Sequence, residues 1–467
     1  MNARSITVMA VLVAAALLAQ GCNDSPTSTD TLTLDARAGG VGPGGVCRSE
    51  DGTPLRTAPR SARVDLDKPA FSNPTDVTNP LFPVSSQARV LLLGHVDGLP
   101  LRIEVTLLAN TRVIDLHPRP VETLVSQFVA FLDGRLHEVA IDHYAQADDG
   151  AVWYLGEDVF NYEDGVVADN EGTWLAGIDG RPAMIMPADP QIGDVWRPED
   201  ICGLVFEEVT ATSTGVTVIG PRGPVQGALI VEELHMDGVL EPKTFAPGYG
   251  EFTSGSAAGD LEALALAVPP DALPGPTPPE LEALFSGAVE IFDAAQSGDW
   301  NAASATVGTL TTAWNAFQAG DVPPLLDAQT EGVLAALVAA VAAQQPAAAR
   351  QAAINVARAS LDLQLRHRPV ADVDLALLDL WARQLLIDIA AGDQGAILGD
   401  ITTLQWIRDR LAGAVSDTEL SRVDARLSDL RAAGQTRELT RAVAAAASLR
   451  STLAQTRVTA RPSVLSQ

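Results

Sequence analysis

The sequence predicts an α+β protein of two domains, an antiparallel sheet that is strongly curved or barrel-like followed by an all-α up-and-down helical bundle. Three observations carry that prediction. Short β-branched or aromatic runs with a period of two recur between residues 87 and 234, and Asp-Gly pairs punctuate them. A stretch rich in Pro and Gly then interrupts the chain, and beyond it the composition turns to Ala and Leu with a period of 3.6.

In chain order, Leu17-Leu18-Ala19-Gln20-Gly21-Cys22 closes an apolar run that begins at Ile6 and follows Arg4. A run this short falls below the roughly 20 residues a spanning helix needs, and a cysteine directly after small residues is the layout of a bacterial lipoprotein signal. Residues 1–21 are therefore expected to be a signal peptide, and Cys22 the lipidated first residue of the mature chain. A plain secretory signal cut nearby is the rival reading, since Ala19 stands where leucine is usual. Lipidation places the protein in the cell envelope, anchored to a membrane on its extracytoplasmic side. Residues 22–64 begin with Ser, Thr and Asp and continue with Gly and Pro, too little apolar surface to offset the entropy of ordering, so a flexible tether is expected.

With Cys22 taken by lipid, Cys47 and Cys202 are the two cysteines left to pair in an oxidising compartment. Two idle thiols are the alternative, as neither has the spacing of a zinc ligand or a catalytic cysteine.

A β domain is expected over residues 65–252. Its strand-like runs cover 90–94, 101–107, 124–131, 136–143, 152–155, 217–219 and 228–234. Turn signals stand at Asp97-Gly98, Asp133-Gly134, Asp149-Gly150, Asp164-Gly165 and Asp237-Gly238. Asp-Gly tolerates the positive φ of a tight hairpin turn, so the pattern reads as an antiparallel meander. A sheet of about ten strands must curl, close or pack on something.

His137, Glu138 and His143 are spaced HExxxxH and lack the helical i, i+4 pair of a zinc signature. They read as strand-surface histidines. Asp148, Asp149, Glu157, Asp158, Glu163, Asp164, Asp169 and Glu171 crowd a segment without Lys or Arg. Turn-forming aspartates on a solvated rim explain them, with calcium on adjacent loops or a glycosidase acid/base pair as lesser readings. Tyr144, Trp153, Tyr154 and Trp174 are the candidates for an aromatic-lined ligand pocket in the curved sheet, core packing being the plainer account.

Many short blocks in this region occur in an order that resembles a family of exported bacterial proteins and lipoproteins. They are Phe71-Ser72-Asn73-Pro74, Asn79-Pro80-Leu81-Phe82-Pro83, Tyr144-Ala145-Gln146, Val152-Trp153-Tyr154-Leu155-Gly156-Glu157-Asp158, Gly172-Thr173-Trp174, Met184-Ile185-Met186-Pro187-Ala188 and Phe245-Ala246-Pro247-Gly248-Tyr249-Gly250. The chain departs from that pattern after Pro83, where it reads Val84-Ser85-Ser86-Gln87. The resemblance implies export and a β-rich fold, and carries no catalytic residues.

Residues 253–279 are read as the Pro/Gly-rich linker, because Pro can neither donate to a ladder nor continue a helix. The bundle is expected over 280–458 and a tail over 459–467. Gly298-Asp299, Gly320-Asp321, Gln345-Pro346, Arg368-Pro369, Gly392-Asp393, Gly413 and Gly434 break it into helices. The 47-residue spacing of Gly298, Gln345 and Gly392 marks repeated helical hairpins, with a short solenoid as the alternative to a bundle. Trp300, Trp314, Trp381 and Trp406 are expected to anchor the helical core. Asp362 with Arg366 and Asp379 with Arg383 are expected to form i, i+4 pairs.

Function is narrowed chiefly by exclusion. A net charge of −28 with two lysines, Lys68 and Lys243, leaves no basic face for phosphates, so nucleic acid is not an expected partner. The chain has no GxSxG, P-loop or HExxH motif. The sequence therefore predicts a membrane-anchored envelope lipoprotein with a non-enzymatic binding or structural role and an envelope protein partner. A small-ligand or lipid-binding protein using the β domain is the second reading, an enzyme of unknown class the third. No catalytic residue, metal site or resident cofactor is expected.

Overall fold

The computed structural model describes residues 46–49, 51–255 and 259–459. The expected signal peptide, Cys22, the first part of the tether and residues 460–467 lie outside the described residues.

Among the described residues, fourteen strands make one antiparallel sheet, and eight α-helices follow it. The first meander runs through β1 (Arg89–Val96), β2 (Leu99–Ile114), β3 (Val121–Leu132), β4 (Arg135–Gln146), β5 (Val152–Glu163) and β6 (Val166–Asp169). Asp97-Gly98, Asp133-Gly134 and Asp164-Gly165 join consecutive strands, and both residues of each pair have positive φ, as tight type I′ turns demand. At Asp149-Gly150 and Asp237-Gly238 only the glycine is left-handed. Short β7 (Trp174–Leu175) and β8 (Ala183–Met186) both pair with β5.

The second meander comprises β9 (Val195–Ile201), β10 (Val205–Gly220), β11 (Gly223–His235), β12 (Leu240–Ala246), β13 (Gly250–Gly255) and β14 (Leu261–Val268). Pairing of β14 with β1 merges the two halves. The sheet curls until β9 packs against β8 and β5, yet among the described residues no ladder joins β8 to β9. It is an unclosed barrel.

β13 and β14 occupy the first part of the stretch expected to be linker, so the connection is confined to residues 269–278. Leu261–Val268 reads Leu-Glu-Ala-Leu-Ala-Leu-Ala-Val and is buried on both faces, which erases the alternation that marks a half-exposed strand. The end of the expected tether is also part of the fold. Cys47 and Cys202 form a disulfide, Leu55 is buried, and Val64 donates to the Val195 carbonyl at 2.8 Å.

The helices are α1 (Pro279–Ser297), α2 (Trp300–Gln318), α3 (Pro324–Ala342), α4 (Pro346–Gln364), α5 (Val370–Ala391), α6 (Gln394–Arg410), α7 (Asp417–Gln435) and α8 (Leu439–Leu453). Gly298 and Gly392 end α1 and α5 in the left-handed conformation, and Asp299 and Asp393 cap the helices that follow. Packing of α1 on α4, and of α5 on α8, closes each set of four helices on itself, as in a bundle and unlike an open solenoid.

Sheet and helices share one apolar core. Leu91, Val129, Phe131 and Val139 on the outer face of the sheet belong to the same cluster as Leu361, Leu377 and Leu404 of the helices. Trp381 of α5 stacks on Phe131 at 5.4 Å between ring centres, and Trp406 of α6 meets Phe160 at 5.3 Å. The Asp164-Gly165 turn presses onto α6, where a Cβ on Gly165 would stand 2.2 Å from the Gly395 carbonyl oxygen.

A charged network crosses this core. Arg102 on β2 grips Asp362 of α4 through two bonds of 2.7 and 2.8 Å and also reaches Glu104 at 2.8 Å. Arg410 of α6 reaches the other oxygen of Glu104 at 2.5 Å and Gln127 of β3 at 2.6 Å. Arg89 of β1 bonds Asp374 of α5 at 2.7 Å. Three guanidiniums thus meet three carboxylates, all buried. Burial pushes Glu104 up, but Arg102, Arg410 and Arg89 outweigh it and hold its carboxyl well below the usual range.

Of the two helical ion pairs expected from spacing, Asp379 and Arg383 meet at 3.0 Å. Asp362 does not pair with Arg366. It faces the sheet, where the bidentate fork of Arg102 outcompetes a same-helix partner, and Arg366 turns to Asp321 at 3.1 Å.

Removing one partner of such a network strands a buried charge. Arg410→Met is expected to destabilise by about 3–5 kcal/mol in denaturant unfolding of residues 23–467. Arg135→Ala, which breaks only an exposed pair with Asp393, is expected to cost less than about 1 kcal/mol.

Candidate functional site

Because side chains alternate along a strand, the sheet that turns Arg89, Arg102 and Glu104 toward the helices turns their neighbours inward. Val90 and Leu92, Val105 and Leu107, and Phe128 line an internal cavity of about 110 Å³. Glu138, Ala140, Asp142 and Tyr144 of β4 continue the wall, while Val139 and Ile141 between them join the core shared with the helices.

Seven carboxyl groups line this cavity: Glu138 and Asp142 from β4, Glu157 from β5, Glu199 from β9, Glu207 from β10, Glu251 from β13 and Glu262 from β14. Residues 124 positions apart reach one space because the sheet is curled. No lysine, arginine or histidine is among the residues of the wall.

Two buried cations stand just behind it. Lys243 of β12 pairs with Glu233, and His235 of β11 sits 3.1 Å from Glu241, 3.4 Å from Glu207 and 3.6 Å from Glu233. Burial lowers the His235 imidazolium, but bonds to Glu207 and Glu241 and the charge of Glu233 prevail and raise it to about 10. Glu207, despite its burial, is pulled down to about 2 by His235 and Lys243. Glu233 is driven up to about 7 by burial and by Glu207.

Among the described residues none of the other six inner acids makes an ion pair, although the charge of Lys243 reaches Glu251 and Glu262. Burial, reinforced by neighbouring carboxylates, pushes Glu138, Glu157, Glu199 and Glu262 well above the usual range. It raises Glu251 as well. Asp142 rises to about 7, burial outweighing the 2.7 Å bond that the Tyr154 hydroxyl donates to it. Burial therefore biases these six carboxyls toward their uncharged form, in contrast to Glu207.

Glu157 and Glu199 are hydrogen-bonded to each other. A glycosidase needs its two carboxyls on either side of a bond, roughly 5 Å apart or more, so this pair lacks that arrangement. Among the residues that line the cavity, two buried side-chain atoms find no hydrogen-bond partner, Glu157 Oε1 and Glu251 Oε1.

Of the four aromatic candidates, Tyr144 and Tyr154 line the cavity, stacked at 4.9 Å. Trp153 and Trp174 do not line it. They are 3% and 1% exposed within the sheet's own core, where Trp174 meets Tyr154 edge-on at 5.5 Å.

The remaining acids of the crowded segment are dispersed. Asp148 accepts from the Ser72 amide, Asp149 from the Ala151 amide and Asp169 from the Glu171 amide, while Asp158 faces outward to Arg112 at 2.6 Å. His143 is not a surface histidine. It is buried on the outer face of β4 between β3 and β5, and Arg112 of β2 reaches it at 2.6 Å. Among the described residues, Glu207, Glu233 and His235 bring three metal-competent atoms within 4.8 Å, but Lys243 already occupies Glu233 there.

Asn79 donates to the carbonyls of Gly150 and Pro187 at 3.1 and 2.9 Å, Gln146 accepts from the amides of Thr78 and Asn79, and Gly248 donates to the Pro80 carbonyl. Several of the blocks that resemble exported proteins are thus tied to one another. Gln87, just past the departure at Val84-Ser85-Ser86, reaches the Tyr249 carbonyl at 2.6 Å and lines the cavity. β1 begins two residues later, so that departure leaves the strand in place.

A second, larger cleft of about 1000 Å³ lies between the sheet and the helices. Arg135, His137 and Arg358 line it together with Asp388 and Asp400, so it presents no single sign of charge. Comparison with protein-family models gives no match for this chain, and comparison with curated proteins gives none either.

The raised acids and the lowered ones act on stability in opposite pH ranges. Asp142 and Glu233 keep their protons to about 7 in the fold, so stability falls as pH rises from about 4 toward 7. The contribution of His235 is complete below its ordinary value of 6.5 and is lost as pH rises through about 10. Glu104 and Glu207 lose theirs only on acidification below about 4.5. Calorimetry on residues 23–467 is expected to find the highest unfolding temperature near about pH 5, declining toward pH 9; a rise over that interval would contradict the assignment.

Proposed function

We propose that this chain is a membrane-tethered, non-enzymatic binding protein of the cell envelope that takes a small molecule into the interior of its curled sheet. The observation that supports the reading is the inner cavity itself. An apolar wall faces a group of carboxyls of which, among the described residues, Glu207 alone meets a protein cation, and folding alone gains nothing from burying the others. Structural cores of this kind are filled or neutralised, as the outer face of the same sheet is. The mixture of apolar surface with a few convergent polar groups is the usual character of a ligand site.

Anchoring is proposed on the residues around Cys22, and the resemblance to exported proteins and lipoproteins agrees with it. The disulfide fits an oxidising compartment. The partner is a small ligand in the cavity, and an envelope protein on the outer surface is compatible with it.

Native mass spectrometry of residues 23–467, exported to an oxidising compartment, is expected to show a stoichiometric adduct that gentle desolvation retains. A clean apo mass, with no thermal shift across a panel of small amines, acids, alcohols and lipids, would remove the reading. Turnover of a substrate in a broad hydrolase panel, abolished by a single carboxylate change, would replace it with an enzyme. Palmitate labelling of the full chain is expected and is to be lost in Cys22→Ser; equal labelling of both would refute the anchor.

A further inference from the structure

We infer that the ligand of the inner cavity is a small organic ammonium ion with a short apolar chain, its charge on the carboxyls around Glu157 and its chain against β1, β2 and β3. The inference rests on the reading of the cavity as a binding site and names the chemical class that fits it.

Charge is the first argument. The two buried cations of the barrel, Lys243 and His235, are engaged with Glu207, Glu233 and Glu241. Among the described residues the rest of the cavity carboxyls make no ion pair, and Glu157 is 3% exposed with Oε1 unsatisfied. A buried acceptor without a donor costs about 1–3 kcal/mol, and a ligand N–H would relieve that cost. Loss of a carboxyl proton as the ammonium docks leaves a carboxylate–ammonium pair, the proton passing to solvent.

Shape separates an organic cation from a metal ion. Calcium needs six to eight oxygens at about 2.3–2.6 Å. Among the described residues, the one group with three metal-competent atoms close together is that of Glu207, Glu233 and His235, where Lys243 already stands. The opposite wall, with Val90, Leu92, Val105 and Phe128, gives a hydrated metal nothing and an alkyl chain a dry surface. The stacked rings of Tyr144 and Tyr154 add aromatic faces of the kind that attract ammonium groups.

Size bounds the ligand. A cavity of roughly 150 Å³ takes benzene, so 110 Å³ suits a ligand of about five heavy atoms.

The test is calorimetric titration of residues 23–467 at neutral pH with n-butylamine, n-butanol and calcium chloride, repeated in buffers of different ionisation enthalpy. One n-butylamine per chain is expected, with proton release and at least tenfold weaker binding of n-butanol. Glu157→Gln, an isosteric change that removes a buried acid, is expected to weaken n-butylamine at least tenfold while keeping its near-UV circular dichroism. Leu92→Trp, which fills the cavity from the apolar side, is expected to abolish binding, and the outward Asp158→Asn to leave it unchanged. n-Butanol binding as well as n-butylamine, or an unaltered affinity in Glu157→Gln, would overturn the cationic ligand and leave a neutral-ligand site. Calcium binding without n-butylamine would overturn it in favour of a metal. Binding of none of the three, together with a clean apo mass, would overturn both this inference and the binding reading.

Discussion

The first strands of this sheet have no solvent face along much of their length, and most of the architecture follows from that constraint. Helices cover the outer face of β1 to β4, and the curl of the sheet encloses the inner face. Any polar side chain on these strands must therefore find a partner inside the protein or bear the cost of dehydration. The two faces meet that demand in opposite ways. Outside, Arg89, Arg102 and Arg410 balance Glu104, Asp362 and Asp374 charge for charge, and the balance ties three helices to the sheet. Inside, carboxyls outnumber cations, and burial shifts the unpaired ones toward their uncharged form.

The contrast bears on what each face is for. A matched buried network costs desolvation that its own Coulomb attraction offsets, and in exchange it admits a single docking geometry for α4, α5 and α6. An unmatched set of acids adds no such geometry. Its cost is eased by the shift of the unpaired acids toward their uncharged form. The helical half thus acts as a rigid backing that holds the inner wall in shape, much as a supporting shell holds a site. Stability and binding are assigned to opposite faces of the same strands.

How much of this was legible in the sequence depended on whether a feature was local. The Asp-Gly turns and the Gly-Asp helix breaks were readable because φ at one or two residues decides them. So was the cysteine pairing, since compartment and number left few options. β14 was not, because a strand buried on both faces shows no alternation and Leu-Glu-Ala-Leu-Ala-Leu-Ala-Val reads like helix. Of the pocket candidates, Tyr144 and Tyr154 were within reach of the aromatic signal, but strand bulges near Gly156 decide which rings turn inward, and the sequence does not mark them. Glu157 stood in the crowded acidic run without distinction from Asp158. One side chain faces the cavity and the other faces Arg112, and the period of two separates them once the strand is known. Glu199, which meets Glu157 across the cavity wall, stands more than forty residues further along the chain, and that no local pattern records.

The unclosed seam completes the argument about the inner wall. Elsewhere around the barrel backbone ladders join neighbouring strands, but β8 and β9 touch only through side chains and single bonds, such as that from Trp196 Nε1 to the Ile185 carbonyl at 3.1 Å. Ile185 and Glu199, which line the cavity, stand on either side of this seam. A closed ladder there would require a long, regular β8, and the four-residue Ala183–Met186, between the turns around Gly177 and Gly193, is too short to supply one. Local opening draws on the least hydrogen-bonded part of a structure. In this sheet that part adjoins the unsatisfied acid, so the place where the wall is easiest to part is also the place where it has most to gain from a ligand.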